Sequence, residues 1–182
     1  MRRILIAALC IFLLSGCAAT SMMAPDRKPD LTSRPDTATL VIIRDTFMGT
    51  AIVFWNYLDG KFIGETKGKT YFVTTVKPGQ HYVVVATENT AVANLDFQPG
   101  RTYYLREGVT MGLWRARTSG FSPLNPQDAM EAMNNCTYWE YDPKKGGEDM
   151  DPKLYQQAIA DYHAEVKQNP GGFKNMLEYK GY

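Results

Sequence analysis

The sequence predicts a mainly β fold: a single antiparallel β-sandwich of about seven strands, followed by a small C-terminal helical extension. Three observations carry this expectation. From Thr39 to about Trp114, β-branched and aromatic runs recur at a spacing of about ten residues, the pattern of a sandwich or small barrel. Asp59-Gly60, Pro78-Gly79 and Pro99-Gly100 punctuate those runs with pairs suited to tight turns. Beyond Phe121 the apolar positions take up helical spacing instead.

The first strand is expected at Leu40-Val41-Ile42-Ile43-Arg44, followed by a loop at Asp45 to Gly49. Ala51 to Tyr57 is the next strand, turning at Asp59-Gly60 into a return strand over Lys61 to Thr66, which Gly68 breaks. Tyr71 to Val76 leads through Pro78-Gly79 into His81 to Thr87, and Val92 to Phe97 leads through Pro99-Gly100 into Thr102 to Glu107. His81-Tyr82-Val83-Val84-Val85-Ala86 is apolar on both faces, which places it centrally. Gly112 and Gly120 flank a last stretch of the β region.

Helices follow. Asn125-Pro126 opens a short one over Gln127 to Met133, and Asp151-Pro152 opens a longer one, with Asp as cap and Pro in the first turn. Leu154, Tyr155, Ala158, Ile159, Tyr162 and Val166 form its apolar stripe, and Asn169-Pro170-Gly171-Gly172 stops it. Tyr138 to Tyr141 is a candidate extra strand, Asp142 to Asp151 a charged loop, and Phe173 to Tyr182 a tail with room for a helical turn or two.

Ahead of the sandwich lie two segments of different character. Residues 1–16 carry Arg2 and Arg3, then an apolar run from Ile4 to Leu14 that is shorter than the roughly 20 residues a spanning helix needs. They end in Leu14-Ser15-Gly16-Cys17, which resembles the lipobox of bacterial lipoproteins. The resemblance implies cleavage between Gly16 and Cys17, acylation of Cys17, and a membrane partner reached through that lipid. Ala18, rather than an acidic residue, implies the outer membrane of a cell envelope, facing the periplasm. Residues 17–37, with Pro25, Pro29 and Pro35 and no apolar period, are expected to be a flexible tether. The domain boundaries are therefore 1–16, 17–37, 38–120 for the sandwich and 121–182 for the helical extension.

Composition narrows the function classes. The chain's formal charge of +1 becomes −1 once residues 1–16 are removed, and a near-neutral surface argues against a nucleic-acid partner. Of Cys10, Cys17 and Cys136, only the last remains as a thiol, so neither a disulfide framework nor a thiolate metal site is expected. Cys136 is either buried or available for an intermolecular disulfide.

A set of motifs in fixed order points further. Tyr57-Leu58-Asp59-Gly60-Lys61-Phe62-Ile63-Gly64-Glu65 is followed by Tyr71-Phe72, Pro78-Gly79-Gln80-His81, Pro99-Gly100-Arg101-Thr102-Tyr103-Tyr104 and Met111-Gly112-Leu113. Their order and spacing over about residues 38 to 120 resemble the bacterial envelope family called domain of unknown function 2846. The resemblance implies a seven-stranded sandwich akin to carboxypeptidase-regulatory or PEGA-type modules, with no catalytic residues to carry over.

Reaction chemistry is sparse. His81 and His163 read as turn or solvent-facing residues, with no metal or triad partners at usable spacing. Gly64 to Thr70 imitates a phosphate loop, yet it is short by a residue and joins strand to strand. Glu148-Asp149-Met150-Asp151 reads as a solvated loop at a helix start rather than a cation site. Met111, Leu113, Trp114, Arg115 and Arg117 form the candidate ligand or partner loop, a Trp flanked by cations. Tyr138, Trp139 and Tyr141 are a second aromatic group, explained equally by packing. The expected function is a non-catalytic interaction or structural module held to the envelope, with an envelope protein as candidate partner, no cofactor and no metal. Two alternatives stay open: a binder of a glycan, peptide or lipid headgroup at the Trp114 loop, and a hydrolase built on carboxylates.

Overall fold

The structure, a computed structural model, describes residues 20–32, 34–112 and 116–182. In chain order the strands are β1 (Met22–Met23), β2 (Ala38–Arg44), β3 (Val53–Leu58), β4 (Lys61–Lys67), β5 (Thr70–Val76) and β6 (Gly79–Ala86). They continue with β7 (Thr90–Phe97), β8 (Thr102–Met111), β9 (Ala116–Pro123), β10 (Thr137–Tyr138) and β11 (Glu140–Tyr141). The helices are α1 (Pro126–Asn134), α2 (Pro152–Gln168) and α3 (Pro170–Leu177). The fold is mainly β and sandwich-like, as the sequence predicts.

Two sheets face each other: a five-stranded one in the order β10-β5-β2-β8-β9 and a four-stranded one in the order β4-β3-β6-β7. The expected purely antiparallel pairing holds only for the second. In the first, β2 runs parallel to β8 and β10 parallel to β5. Parallel neighbours arise because the chain leaves one sheet and re-enters it from the same end.

That crossing also reassigns the turns. Asp59, with φ of 50°, and Gly60, with φ of 80°, make the expected hairpin between β3 and β4. Pro78-Gly79 and Pro99-Gly100, however, carry the chain from one sheet to the other, joining β5 to β6 and β7 to β8. Val76 and Phe97, the residues that enter these turns, both point into the core between the sheets, so layer crossing buries them. The other hairpins are β6–β7 and β8–β9.

Alternation explains the core. Leu40 and Ile42 on β2 face the four-stranded sheet, meeting Phe72, Val83, Leu95, Phe97, Tyr103 and Leu105. Val41 and Ile43 face the other way, against Ala129, Ala132 and Met133 of α1. On the far side Val84 of β6 meets Met150 and Ala158, the latter on α2. Each main sheet thus has a helix on its outer face, and β2 and the second half of β6 are buried on both sides.

Asn169-Pro170-Gly171-Gly172 both ends α2 and starts α3: the Asn169 side chain accepts from Gly172 N while Pro170 takes the first turn. Beyond α3, Tyr182 exchanges backbone hydrogen bonds with Thr102 at 2.7 and 2.9 Å.

The described part of residues 17–37 departs from a free tether. Met22–Met23 pair with Glu140–Tyr141, Met22 is 1 % exposed within the main core, and Leu31 packs beside α1. Asp142 N donates to Ser21 O at 2.8 Å. The apolar side chains there are too few to show a period, yet Met22 and Leu31 each join a core cluster that also takes in residues of the 136–141 segment. Met22→Ala is expected to cost about 2–4 kcal/mol, whereas Met23→Ala, at a residue 41 % exposed, stays within about 0.5 kcal/mol; urea unfolding of the two variants checks the contrast.

Candidate functional site

One end of the sandwich is built on a buried cation. Arg44 closes β2 with no exposed surface, because the next residues must leave the strand while its own side chain stays between the sheets. Its Nη1 donates to Ile52 O at 2.8 Å and its Nη2 to Gly49 O at 2.7 Å and Met48 O at 3.2 Å. The guanidinium carbon lies 4.0 Å from the Phe54 ring centroid. The loop over residues 45–52 is therefore wrapped around one guanidinium, its carbonyls satisfied from inside. Gly49 (φ of 63°) packs so closely on Ala116 that a side chain there would sit 2.3 Å from its Cβ.

Glu107 on β8 is the counter-group, 2 % exposed. Its carboxylate accepts from Asn56 Nδ2 at 2.7 Å and from Thr66 Oγ1. β3 and β4 in one sheet are thereby tied to β8 in the other. Burial pushes the Glu107 carboxyl up from 4.5 to about 7, opposed by those hydrogen bonds and by the Arg44 charge. Burial likewise lowers Arg44 from its ordinary value, with Glu107 opposing.

What this scaffold presents is apolar. Phe47 is 73 % exposed, Met48 43 % and Met111 62 %. Met111 pairs with Ala116 across the β8–β9 hairpin, and Ala116 touches Gly49, so the three residues belong to adjoining loops. Lys69 Nζ lies 4.3 Å over the Phe47 ring. Beside this tip, on the outer face of β3, Trp55 sits opposite Glu65 of β4 and borders a cleft of about 580 Å³ shared with Tyr57, Phe62 and Lys145. Thr20 Oγ1 donates to Glu65, so the N-terminal strap lands at the same cleft.

Two residues of the predicted loop, Met111 and Arg117, fall at this end. Met111 is its exposed shoulder and Arg117 is exposed on β9, paired with Thr110. Leu113, Trp114 and Arg115 lie outside the described residues, as do Gly16, Cys17 and the segment 1–16. Sequence reading missed Phe47, Met48 and Trp55 as neighbours of Met111. The signal for the first two was an apolar pair inside a short loop that follows a strand ending in Arg.

The other candidates resolve into packing and capping. His81 Nδ1 lies 2.5 Å from Asp59 Oδ2, and His163 Nε2 lies 3.0 Å from the Tyr82 hydroxyl, so both histidines have partners that spacing did not reveal. Asp149 binds Lys61 Nζ at 2.6 Å and Phe62 N at 3.0 Å, while Asp151 caps α2 through Lys153 N and Leu154 N. Gly64 to Thr70 joins β4 to β5, with no helix at its end. Cys136 is half-buried, and burial pushes its thiol up to about 11. Tyr138 stacks on Tyr71, Trp139 packs on the main core and Tyr141 meets Phe62 edge-on. These aromatics seat β10 and β11 rather than α2. Among the described residues no three His, Cys, Asp or Glu side chains come together as a metal site would require, and no helix is long and apolar enough to cross a membrane.

Comparison with known proteins agrees with the motif reading. Residues 34–121 match the model of a family described as protein of unknown function (DUF2846). An uncharacterized protein of Haemophilus influenzae is 30% identical over 107 residues, a match taking in 56% of this chain and 64% of that protein, under two thirds of its length. No solved structure matches.

The Glu107 geometry sets a pH dependence. The folded state holds the carboxyl proton more tightly than the unfolded chain, so the stability this contributes is fully present below about pH 4.5 and lost as pH rises through about 7. Denaturant unfolding across that window should show a decline on the order of 3 kcal/mol, and Glu107→Gln should flatten it.

Proposed function

Because residues 34–121 make this chain a member of the DUF2846 family of proteins of unknown function, we propose that it is a lipid-anchored, non-catalytic interaction module of the cell envelope. Its contact surface is the tip formed by Phe47, Met48 and Met111. The observation that carries this reading is the landing of Thr20 and Met22 on the folded domain, three and five residues after Cys17. An acyl chain on Cys17 would emerge directly from the domain beside its most apolar end. Two or more chains on one residue make a stable anchor, each buried methylene contributing about 0.8 kcal/mol.

A contact role also suits the chemistry of the site. Glu107, the carboxyl whose acidity is most displaced, is sealed between the sheets and serves Asn56 and Thr66. Among the described residues the tip carries side chains that bury area, with Lys69 over Phe47 and Arg117 exposed on β9 beside it. Ala18 favours the outer membrane, facing the periplasm, and the partner class is a component of that envelope.

Intact-mass measurement of the mature protein is expected to show Cys17 as its first residue bearing a diacylglyceryl thioether. Membrane release should require detergent for the wild type and not for Cys17→Ser. An unmodified Cys17, or wild-type protein that leaves the membrane fraction in buffer alone, overturns the proposal. Replacing Phe47, Met48 and Met111 together by Ser should weaken retention of envelope components in intact-cell cross-linking. Because all three are exposed, unfolding should shift by no more than about 0.5 kcal/mol per position.

A further inference from the structure

We propose that the occupant of the tip is the lipid bilayer itself, so that Phe47, Met48 and Met111 lie in the membrane interface with Trp55 at its surface. The inference rests on the anchored reading of Cys17 and adds to it the orientation of the domain.

The leash sets the argument. Cys17 precedes Thr20 by three positions, with Ala18 and Ala19 between them, and a fully extended chain of three residue steps spans at most about 11 Å. Thr20 is held by Glu65, while Met22 sits in the core and Ser21 O accepts from Asp142 N. The strap cannot peel away to lengthen the leash without exposing Met22. The acylated sulfur therefore stays close to Glu65.

Glu65 lies two residues before the end of β4, about 7 Å along the strand. The turn that follows, at Gly68, faces Thr50 of the tip loop, since a side chain added at Gly68 would meet Thr50 Cγ2 at 3.0 Å. The tip is thus inside the radius the leash permits. The opposite end, with Lys77 and Pro78, is a full β2 length of seven residues from the tip, about 23 Å, hence about 16 Å from the level of Glu65 and beyond that radius. A short leash and a rigid domain leave the bilayer facing the tip end.

The chemistry of that end fits an interface. Phe47 and Met48 stand on a loop that the buried guanidinium holds in shape, and Met111 stands beside them at the end of β8, so little ordering entropy is lost on insertion. Trp55, 41 % exposed at the shoulder, is of the residue type that lies at headgroup level. Lys69 over Phe47 and Lys145 beside Trp55 supply cations for anionic headgroups.

The test uses full-length acylated protein, with its lipid verified by mass, in vesicles of phosphatidylethanolamine and phosphatidylglycerol doped with a doxyl-labelled lipid. In a Cys136→Ala background, a fluorophore is placed at Phe47→Cys or, as control, at Lys77→Cys. Lipid-borne quenching is expected to be several-fold stronger at 47 than at 77. Equal quenching at the two positions, or stronger quenching at 77, overturns the seating while leaving the anchor intact. Shielding of position 47 from both the lipid quencher and aqueous iodide assigns the tip to a second copy of the chain and also overturns it. An absent acyl mass is a separate result that removes the anchor itself.

Discussion

A single guanidinium, placed where two sheets meet, organises one end of this molecule. Arg44 is costly to bury, and it persists because three loop carbonyls, an aromatic face and the Glu107 charge surround it. Glu107 in turn draws Asn56 and Thr66 from the opposite sheet. The consequence is geometric: the loop over residues 45–52 cannot relax independently of β3, β4 and β8. Apolar residues displayed on that loop stand on the same framework as the core.

The rest of the chain is arranged around this clamp in layers. α1 covers the outer face of the five-stranded sheet through Ala129, Ala132 and Met133, and α2 that of the four-stranded sheet through Ala158 with Tyr155 and Ile159. The C-terminal segment does more than cover. β10 extends the larger sheet, β11 receives β1, and Tyr182 pairs with Thr102. The family match ends at residue 121, while the packing continues through the last residue. A sandwich of this kind, held by the strap from Thr20 and by its C-terminal segment, behaves as one body.

Docking of the N-terminal strap changes what a lipid anchor would mean here. A long leash lets a domain sample a large volume and meet partners by raised effective concentration. A leash of two intervening residues would fix distance and orientation instead, trading reach for register against the membrane. The cleft beside Trp55, lined in part by Thr20 and Ser21 of the strap, would then lie next to the bilayer.

The sequence by itself determined the strand-forming runs, the Asp59-Gly60 hairpin, the caps at Asn125 and Asp151, the family and the apolar double-sidedness of His81 to Ala86. Each is a property of neighbours in the chain: φ preference, side-chain alternation or a cap within three residues. Tertiary structure alone decided that Pro78-Gly79 and Pro99-Gly100 cross between layers, that β2 lies parallel to β8, and that Met22 belongs to the core. It alone brought Arg44 to Glu107 and Phe47 to Met111, pairs far apart in the chain. A turn dipeptide encodes a reversal and not the sheet on the other side of it, and a lone buried charge shows its partner only once the two sheets have closed over both.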